Sequence, residues 1–203
     1  MKKLSLNKGM TLAEVLVTLA IFLLIMGAVA AFEANVFIYG RFSSDSLQTI
    51  QDSQIILKNI SREVRNITVA DDGSYPIANV STSSMTVFSD FDDNGSRERI
   101  RYSLVKNTLY RAVTVSSGNP PTYSGQESTS TIVTNIRNSS STPVFEYYDQ
   151  NYDGAGNPMS YPVSIPSIRL IRVNLTLDID PNRSPLPKTY STSITLRNLK
   201  SNL

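Results

Sequence analysis

Residues 15–32 form an unbroken apolar run in which Thr18 is the only polar side chain. About 20 apolar residues span a bilayer as a helix, so this run constrains the chain more than anything after it. Lys2, Lys3 and Lys8 precede it and Arg41 follows it. That bias holds the N-terminus on the cytoplasmic side and sends the rest across. Glu14 does not fit a plain anchor. It stands at the start of the run, and a charge within the bilayer costs at least ~2.5–3.5 kcal/mol even on the mildest scale. An anion is favoured near a helix N-terminus by the backbone dipole, which is the simplest account of it. The alternative is a specific positive partner.

Composition removes other classes. The 203 residues contain no Cys and no His. The first absence excludes a disulfide framework, a thiolate metal site and a Cys nucleophile. The second removes the commonest general base and the commonest transition-metal ligand. The formal charge of +2 carries no basic excess of the nucleic-acid-binding kind. Loss of residues 1–9 would leave 16 basic against 17 acidic side chains. A secretory signal wants an apolar stretch of ~7–15 residues and a small-residue cleavage site; the run here is longer, and Ala28 with Ala30 and Ala31 makes a weak site.

The string Lys8-Gly9-Met10-Thr11-Leu12-Ala13-Glu14-Val15-Leu16 resembles the class III signal of type IV pilins and type II secretion pseudopilins. The resemblance implies cleavage between Gly9 and Met10 by a prepilin peptidase and methylation of the new N-terminal residue, Met10. It also makes Glu14 the hallmark glutamate five places into the mature chain. Two positions depart from the usual pattern: Met10 where Phe is common, and Ala13 where a bulky residue is common. On a helix, residues 10 and 14 lie one turn apart on one face. Cleavage would create an α-ammonium at Met10. If neighbouring helices pack with an axial offset, Glu14 of one subunit reaches the ammonium of the next, and breaking such a buried pair costs about 3–5 kcal/mol.

Beyond Ser43, Leu47, Ile50, Leu57, Ile60, Val64 and Ile67 recur at three-, four- and seven-residue steps, with Gln54 and Ser61 in the remaining places. This is a helical stripe. No proline occurs before Pro76. One helix from about Thr11 to about Thr68 would extend about 87 Å at 1.5 Å per residue, with a break at Gly40 into two helices as the alternative. The expected organisation is a leader at 1–9, a transmembrane and filament-core helix at 10–38, an amphipathic continuation at 39–70, and a β-rich head at 71–203. The fold class is α+β.

In the head, strands are expected at Ser84–Ser89, Arg97–Leu104, Thr108–Val113 and Val144–Tyr148. Ile171, Val173, Leu175, Leu177 and Ile179 alternate with Arg172, Asn174, Thr176 and Asp178, the mark of a half-buried strand. Pro181, Pro185 and Pro187 then impose a loop before a strand at Tyr190–Leu196. Asp92-Asp93-Asn94-Gly95 reads as a hairpin turn whose Asn-Gly supplies positive φ angles. Residues 116–143 are rich in Ser, Thr, Gly and Pro and read as an exposed, mobile loop region with at most one weak strand near Thr131–Ile136. Phe88 to Tyr102, Thr108 to Arg111, Phe145 to Asp149 and Leu196 to Leu199 together resemble, in their order, PilW-like minor pilins and J-type minor pseudopilins.

Asp90, Asp92 and Asn94 before Gly95, and Asp149, Asn151 and Asp153 before Gly154, match the first half of a calcium loop. The twelfth position, where a calcium loop places a bidentate Glu, holds Arg101 in one and Ser160 in the other. Turn chemistry explains both clusters more simply, since Asp, Asn and Gly suit β-turns. Calcium is the metal candidate for either loop, with Asp90, Asp92, Asp93 and Asn94 favoured for the three carboxylates of the first, and no cofactor is otherwise expected.

The expected function is structural. The chain reads as a minor prepilin-like subunit, cut, N-methylated and assembled into a pilus or a type II secretion pseudopilus, at its initiation or tip. It is not expected to be an enzyme. Its expected partners are the prepilin peptidase/methyltransferase, other pilin or pseudopilin subunits and membrane lipid. Its expected location is the bacterial inner membrane, single-pass with the head extracytoplasmic, and then the filament. An uncleaved, membrane-anchored binding module is the alternative. A tethered hydrolase would need metal-bound water held by the acidic loops.

Overall fold

The computed structural model describes residues 9–178 and 186–196. The expectations for Lys2, Lys3, Lys8, Ile179, Pro181, Pro185 and Arg197 to Leu199 therefore fall outside the described residues. The chain divides into two compact units, Met1–Asp45 and Ser46–Leu203. A single helix, α1 (Leu12–Arg65), is followed by a head of antiparallel sheets. The helix runs through Gly40 without a break; glycine in a helix interior costs only ~1 kcal/mol relative to alanine.

In the first unit, Leu12–Gly40 is long and apolar enough to cross a membrane, and none of its most apolar window is buried. Leu16, Leu23, Leu24 and Phe32 are all more than half exposed. Two polar side chains within this stretch, Thr18 and Asn35, turn back on the helix. The Thr18 hydroxyl donates to the carbonyls of Glu14 and Val15, each at 2.9 Å. Asn35 Nδ2 donates to the Ala31 carbonyl at 3.0 Å. Satisfying a polar group internally is what a hydrocarbon setting requires.

In the second unit the rest of α1 carries the core stripe as far as Val64; the helix ends at Arg65 rather than near Thr68, and Ile67 forms an isolated bridge to Ser89. Leu57, Ile60, Val64 and Ile67 are buried in one cluster with strand residues of both sheets. The stripe differs from its sequence reading in two ways. Leu47 is exposed, so burial begins later. Ser53, not Gln54, is buried, and Glu63 is buried as well. Burial therefore tracks one side of the final turns rather than an even heptad.

The head contains β1 (Ile77–Val80), β2 (Ser84–Ser89), β3 (Glu98–Val105), β4 (Thr108–Thr114), β5 (Ser128–Val133), β6 (Phe145–Tyr148), β7 (Leu170–Leu177) and β8 (Lys188–Thr195). The first five form an antiparallel sheet in sequential order, and the last three form a second. Met85, Val87, Ile100, Tyr102 and Leu109 face the core from one sheet, and Phe145, Tyr147, Ile171, Val173, Leu175 and Ile194 from the other. Their spacing of two along each strand is the pleat repeat. Hydrogen bonds also tie the second sheet to the β1–β2 turn: the Phe145 amide donates to the Thr82 carbonyl at 3.1 Å and the Tyr147 hydroxyl to the Ser81 carbonyl at 3.1 Å.

Four expectations need correction. β1 was not anticipated; it holds only four residues, too few for a pattern. The weak strand expected near Thr131–Ile136 is β5, Ser128–Val133, with Ile136 confined to an isolated bridge to Leu177. The region 116–143 is not uniformly exposed, since Tyr123 and Ile136 are buried. Between β2 and β3 the positive φ angles fall on Asp93 (57°) and Gly95 (88°) rather than on Asn94, in a loop longer than a two-residue hairpin.

A buried polar lock fixes the helix within the head. Tyr102 on β3 donates its hydroxyl to Glu63 Oε2, and Arg111 Nε on β4 reaches the same oxygen at 3.0 Å. The guanidinium lies 4.5 Å from the centre of the Phe91 ring, a cation–π contact. Burial, then the Glu63 charge, pushes the Tyr102 hydroxyl far up in pKa, which keeps it a donor.

Candidate functional site

Gly9, Met10 and Thr11 precede the first residue of α1, Leu12. The first helical bond runs from the Val15 amide to the Thr11 carbonyl at 3.2 Å, so Thr11 is the N-cap. Its side chain and that of Glu14 satisfy each other's backbone. The Glu14 amide donates to Thr11 Oγ1 at 3.3 Å. The Thr11 amide donates to Glu14 Oε2 at 2.8 Å, and the Thr11 hydroxyl to the same oxygen at 3.1 Å. This is a reciprocal capping box, with Thr at the cap and Glu three places on.

Thr11 is the site residue that sequence reasoning missed, although the signal was in view: Thr-x-x-Glu directly ahead of an apolar run. The geometry also changes the expected relation of Met10 to Glu14. Met10 stands before the N-cap, so the two do not share a helical face one turn apart here.

The second candidate site is the β2–β3 loop. The structure brings Asp90 and Asp92 together, but their third acidic neighbour is Glu98, not Asp93. Asp90 Oδ1 accepts the Asn94 amide at 3.0 Å and Oδ2 the Gly95 amide at 2.9 Å. Asn94 Nδ2 donates to Asp92 Oδ2 at 2.9 Å. The amide groups of Asn94 thus hold the turn's carboxylates, which is the local role that Asp and Asn take in turns. Arg101, at the position of the expected twelfth ligand, has its Nε 3.0 Å from Glu127 Oε1 instead.

The other acidic loop does not gather its carboxylates. Asp149 Oδ1 accepts the Asn151 amide at 2.9 Å, and Asp153 Oδ1 accepts the Ala155 amide at 3.0 Å. Tyr152, between them, donates to the Gly154 carbonyl and lies under the Arg172 guanidinium with Tyr148. Among the described residues, Asp90, Asp92 and Glu98 form the one cluster of three acidic groups placed for a metal ion.

No curated protein matches the chain. The family described as the prokaryotic N-terminal methylation motif matches residues 4–30. The match spans the expected cut at Gly9, the capped helix start at Thr11 and Glu14, and most of the apolar run. The motif implies processing by a prepilin peptidase and assembly with other pilin subunits. An exposed apolar helix, begun by a Thr11–Glu14 cap and placed ahead of an antiparallel head, thus carries the signature of the prepilin-like proteins of the type IV pilin and pseudopilin kind.

Proposed function

We propose that the chain is a minor subunit of a type IV pilus or type II secretion pseudopilus, acting at filament initiation or at the tip. It is held in the inner membrane with its N-terminus in the cytoplasm, cut after Gly9 and methylated on Met10. Its role is packing and recognition, with no reaction of its own. The observation that carries this reading is the methylation motif over residues 4–30 on a helix whose most apolar window is unburied. The minor-subunit assignment draws support from the head. The segments that resemble minor pilins and pseudopilins, Phe88–Tyr102, Thr108–Arg111 and Phe145–Asp149, fall on β2, β3, β4, β6 and the turns that join them.

The capping box gives Glu14 two tasks. A carboxylate has about four lone-pair sites on its two oxygens, and Thr11 uses Oε2. A cut before Met10 leaves the Thr11 amide and hydroxyl in place, so the cap persists in the mature chain. In the lone subunit the cap accounts for the carboxylate without any ammonium. In the filament the remaining acceptor capacity meets the α-ammonium of an adjoining subunit, and the pair sets the axial register of the helices. Removing one partner from such a buried pair costs about 3–5 kcal/mol, more than the ~0.5–2 kcal/mol of a cap.

The test is Glu14→Gln against Glu14→Ala. Gln keeps a capping acceptor and loses the charge. Both variants are expected to insert and to be cut, and both are expected to be absent from sheared filaments. Normal incorporation of Glu14→Gln would show that the cap, not the charge, is what assembly uses.

A further inference from the structure

The β2–β3 loop concentrates negative charge that the head does not neutralise. Glu98 opens β3 and is 2 % exposed, yet its Oε2 is buried with no hydrogen-bond partner. Ser89 stands directly opposite it in the β2–β3 register, and the Ser89 Oγ is likewise buried without a partner. Opposed residues on adjacent strands present their side chains on one face, so two orphaned oxygens share this face. Buried polar oxygens are nearly always bonded, and buried charges are paired or bound to metal. No Lys or Arg pairs with Glu98 among the described residues. Its charged neighbours are two more carboxylates, and burial, then Asp92, hold its carboxyl above the usual range.

One oxygen from each of Asp90, Asp92 and Glu98 lies within 4.8 Å of the others. Oxygens gathered within that span can converge on one ion, and the flexible oxygen coordination of Ca²⁺ suits an irregular loop site better than the near-ideal octahedron that Mg²⁺ demands. With neither His nor Cys in the chain, the donor set is all oxygen and selects a hard cation. Counted from Asp90, Glu98 is the ninth residue of the loop, a position that calcium loops use, often through water. The amides of Asn94 and Gly95 orient Asp90 without exhausting its oxygens.

We propose that Asp90, Asp92 and Glu98 bind a calcium ion that closes the β2–β3 loop onto the sheet edge. The ion supplies the positive charge that Glu98 lacks and draws the exposed Asp92 to the buried strand. This site stands independently of cleavage and filament assembly.

Calorimetric titration of the detergent-solubilised full chain, stripped with chelator, tests it directly with CaCl₂ and then MgCl₂. The expected result is one saturable calcium site per chain, with a Kd of about 10⁻⁴–10⁻³ M as in extracellular modules, and a rise in Tm on calcium addition. Glu98→Gln and Asp92→Asn are each expected to weaken binding by about tenfold or more and to abolish the Tm rise. Asp153→Asn in the other acidic loop is expected to leave both unchanged. In chelator, Glu98→Gln is expected to melt no lower than the parent chain, because it removes an unpaired buried charge. If Glu98→Gln does not fold, Asp92→Asn on the exposed loop decides alone. Absence of saturable binding up to about 10 mM calcium, parental affinity in Asp92→Asn, or equal binding of magnesium would each overturn the assignment.

Discussion

Glu63 of α1 and Arg111 of β4 form an ion pair at 3.0 Å in which the carboxylate is 7 % and the guanidinium 19 % exposed. The Tyr102 hydroxyl shares the same Glu63 oxygen. One carboxylate on the helix therefore fixes two adjacent strands, β3 and β4. Removing a single partner of a buried pair is far more damaging than replacing the whole set. Glu63→Ala is expected to destabilise the head by about 3–5 kcal/mol, seen as a lower urea midpoint by circular dichroism. The Glu63→Ala/Arg111→Ala pair is expected to cost less than the sum of its single changes.

The loop that leaves α1 is tied down by Tyr123, a residue from a stretch whose composition suggests nothing ordered. Its hydroxyl accepts the Asp71 amide at 3.1 Å and donates to the Arg97 carbonyl at 2.7 Å. Its ring packs against Phe88 with centroids 4.9 Å apart and planes tilted by 50°. Tyr123→Phe keeps the ring and loses both bonds, and each such bond is worth about 0.5–1.5 kcal/mol net. Tyr123→Ala also loses the ring packing and is expected to cost more than Tyr123→Phe, as judged by urea unfolding.

Acid is expected to weaken the head through two depressed carboxyls. The Arg101 guanidinium holds Glu127 below its usual pKa. Burial pushes Asp71 up, but the Ser116 hydroxyl with the Arg97 amide and guanidinium outweighs it and leaves Asp71 below its usual value. For both groups the unfolded chain binds the proton more readily than the folded one. Their stabilisation is therefore complete above the ordinary carboxylate pKa of about 4 and is lost as pH falls through the lower folded values. Urea midpoints measured from pH 7 down to about pH 2 are expected to fall in that window. The fall is expected to be shallower in Asp71→Asn and Glu127→Gln.

The capping box predicts a local effect at the start of the helix. Thr11→Val removes the side-chain acceptor for the Glu14 amide and the hydroxyl that bonds Glu14 Oε2. A lost N-cap costs about 0.5–2 kcal/mol. Hydrogen exchange in micelles is expected to speed up at the amides of Ala13 and Glu14 and to stay unchanged at Leu57 and Ile60, far along α1.

Periodicity made much of this architecture legible. The apolar run, the absence of proline before Pro76 and the buried positions Leu57, Ile60 and Val64 gave one helix. The strict alternation from Ile171 to Leu177 gave β7, and the expected strands Arg97–Leu104 and Thr108–Val113 are β3 and β4, which pair directly. What periodicity does not encode was missed. Glu63 lies off the apolar stripe, yet it is buried because Arg111 and Tyr102, 48 and 39 positions away, come to meet it. Glu98, at the ninth position of the loop, carries no burial signal in the local sequence, where charged residues surround it. Its burial comes from its pairing with Ser89 across the sheet, which no local pattern records. Tyr123 owes its order to Phe88 and Asp71, both distant in sequence.

The central claim is that proteolysis before Met10 creates the cation that Glu14 meets in the filament. Mass spectrometry of the native polypeptide recovered from sheared filaments tests it most directly. The account predicts a chain that begins at Met10 and carries one methyl group on its α-nitrogen. A filament-borne chain that still begins at Met1, with Lys2, Lys3 and Lys8 in place, would contradict it.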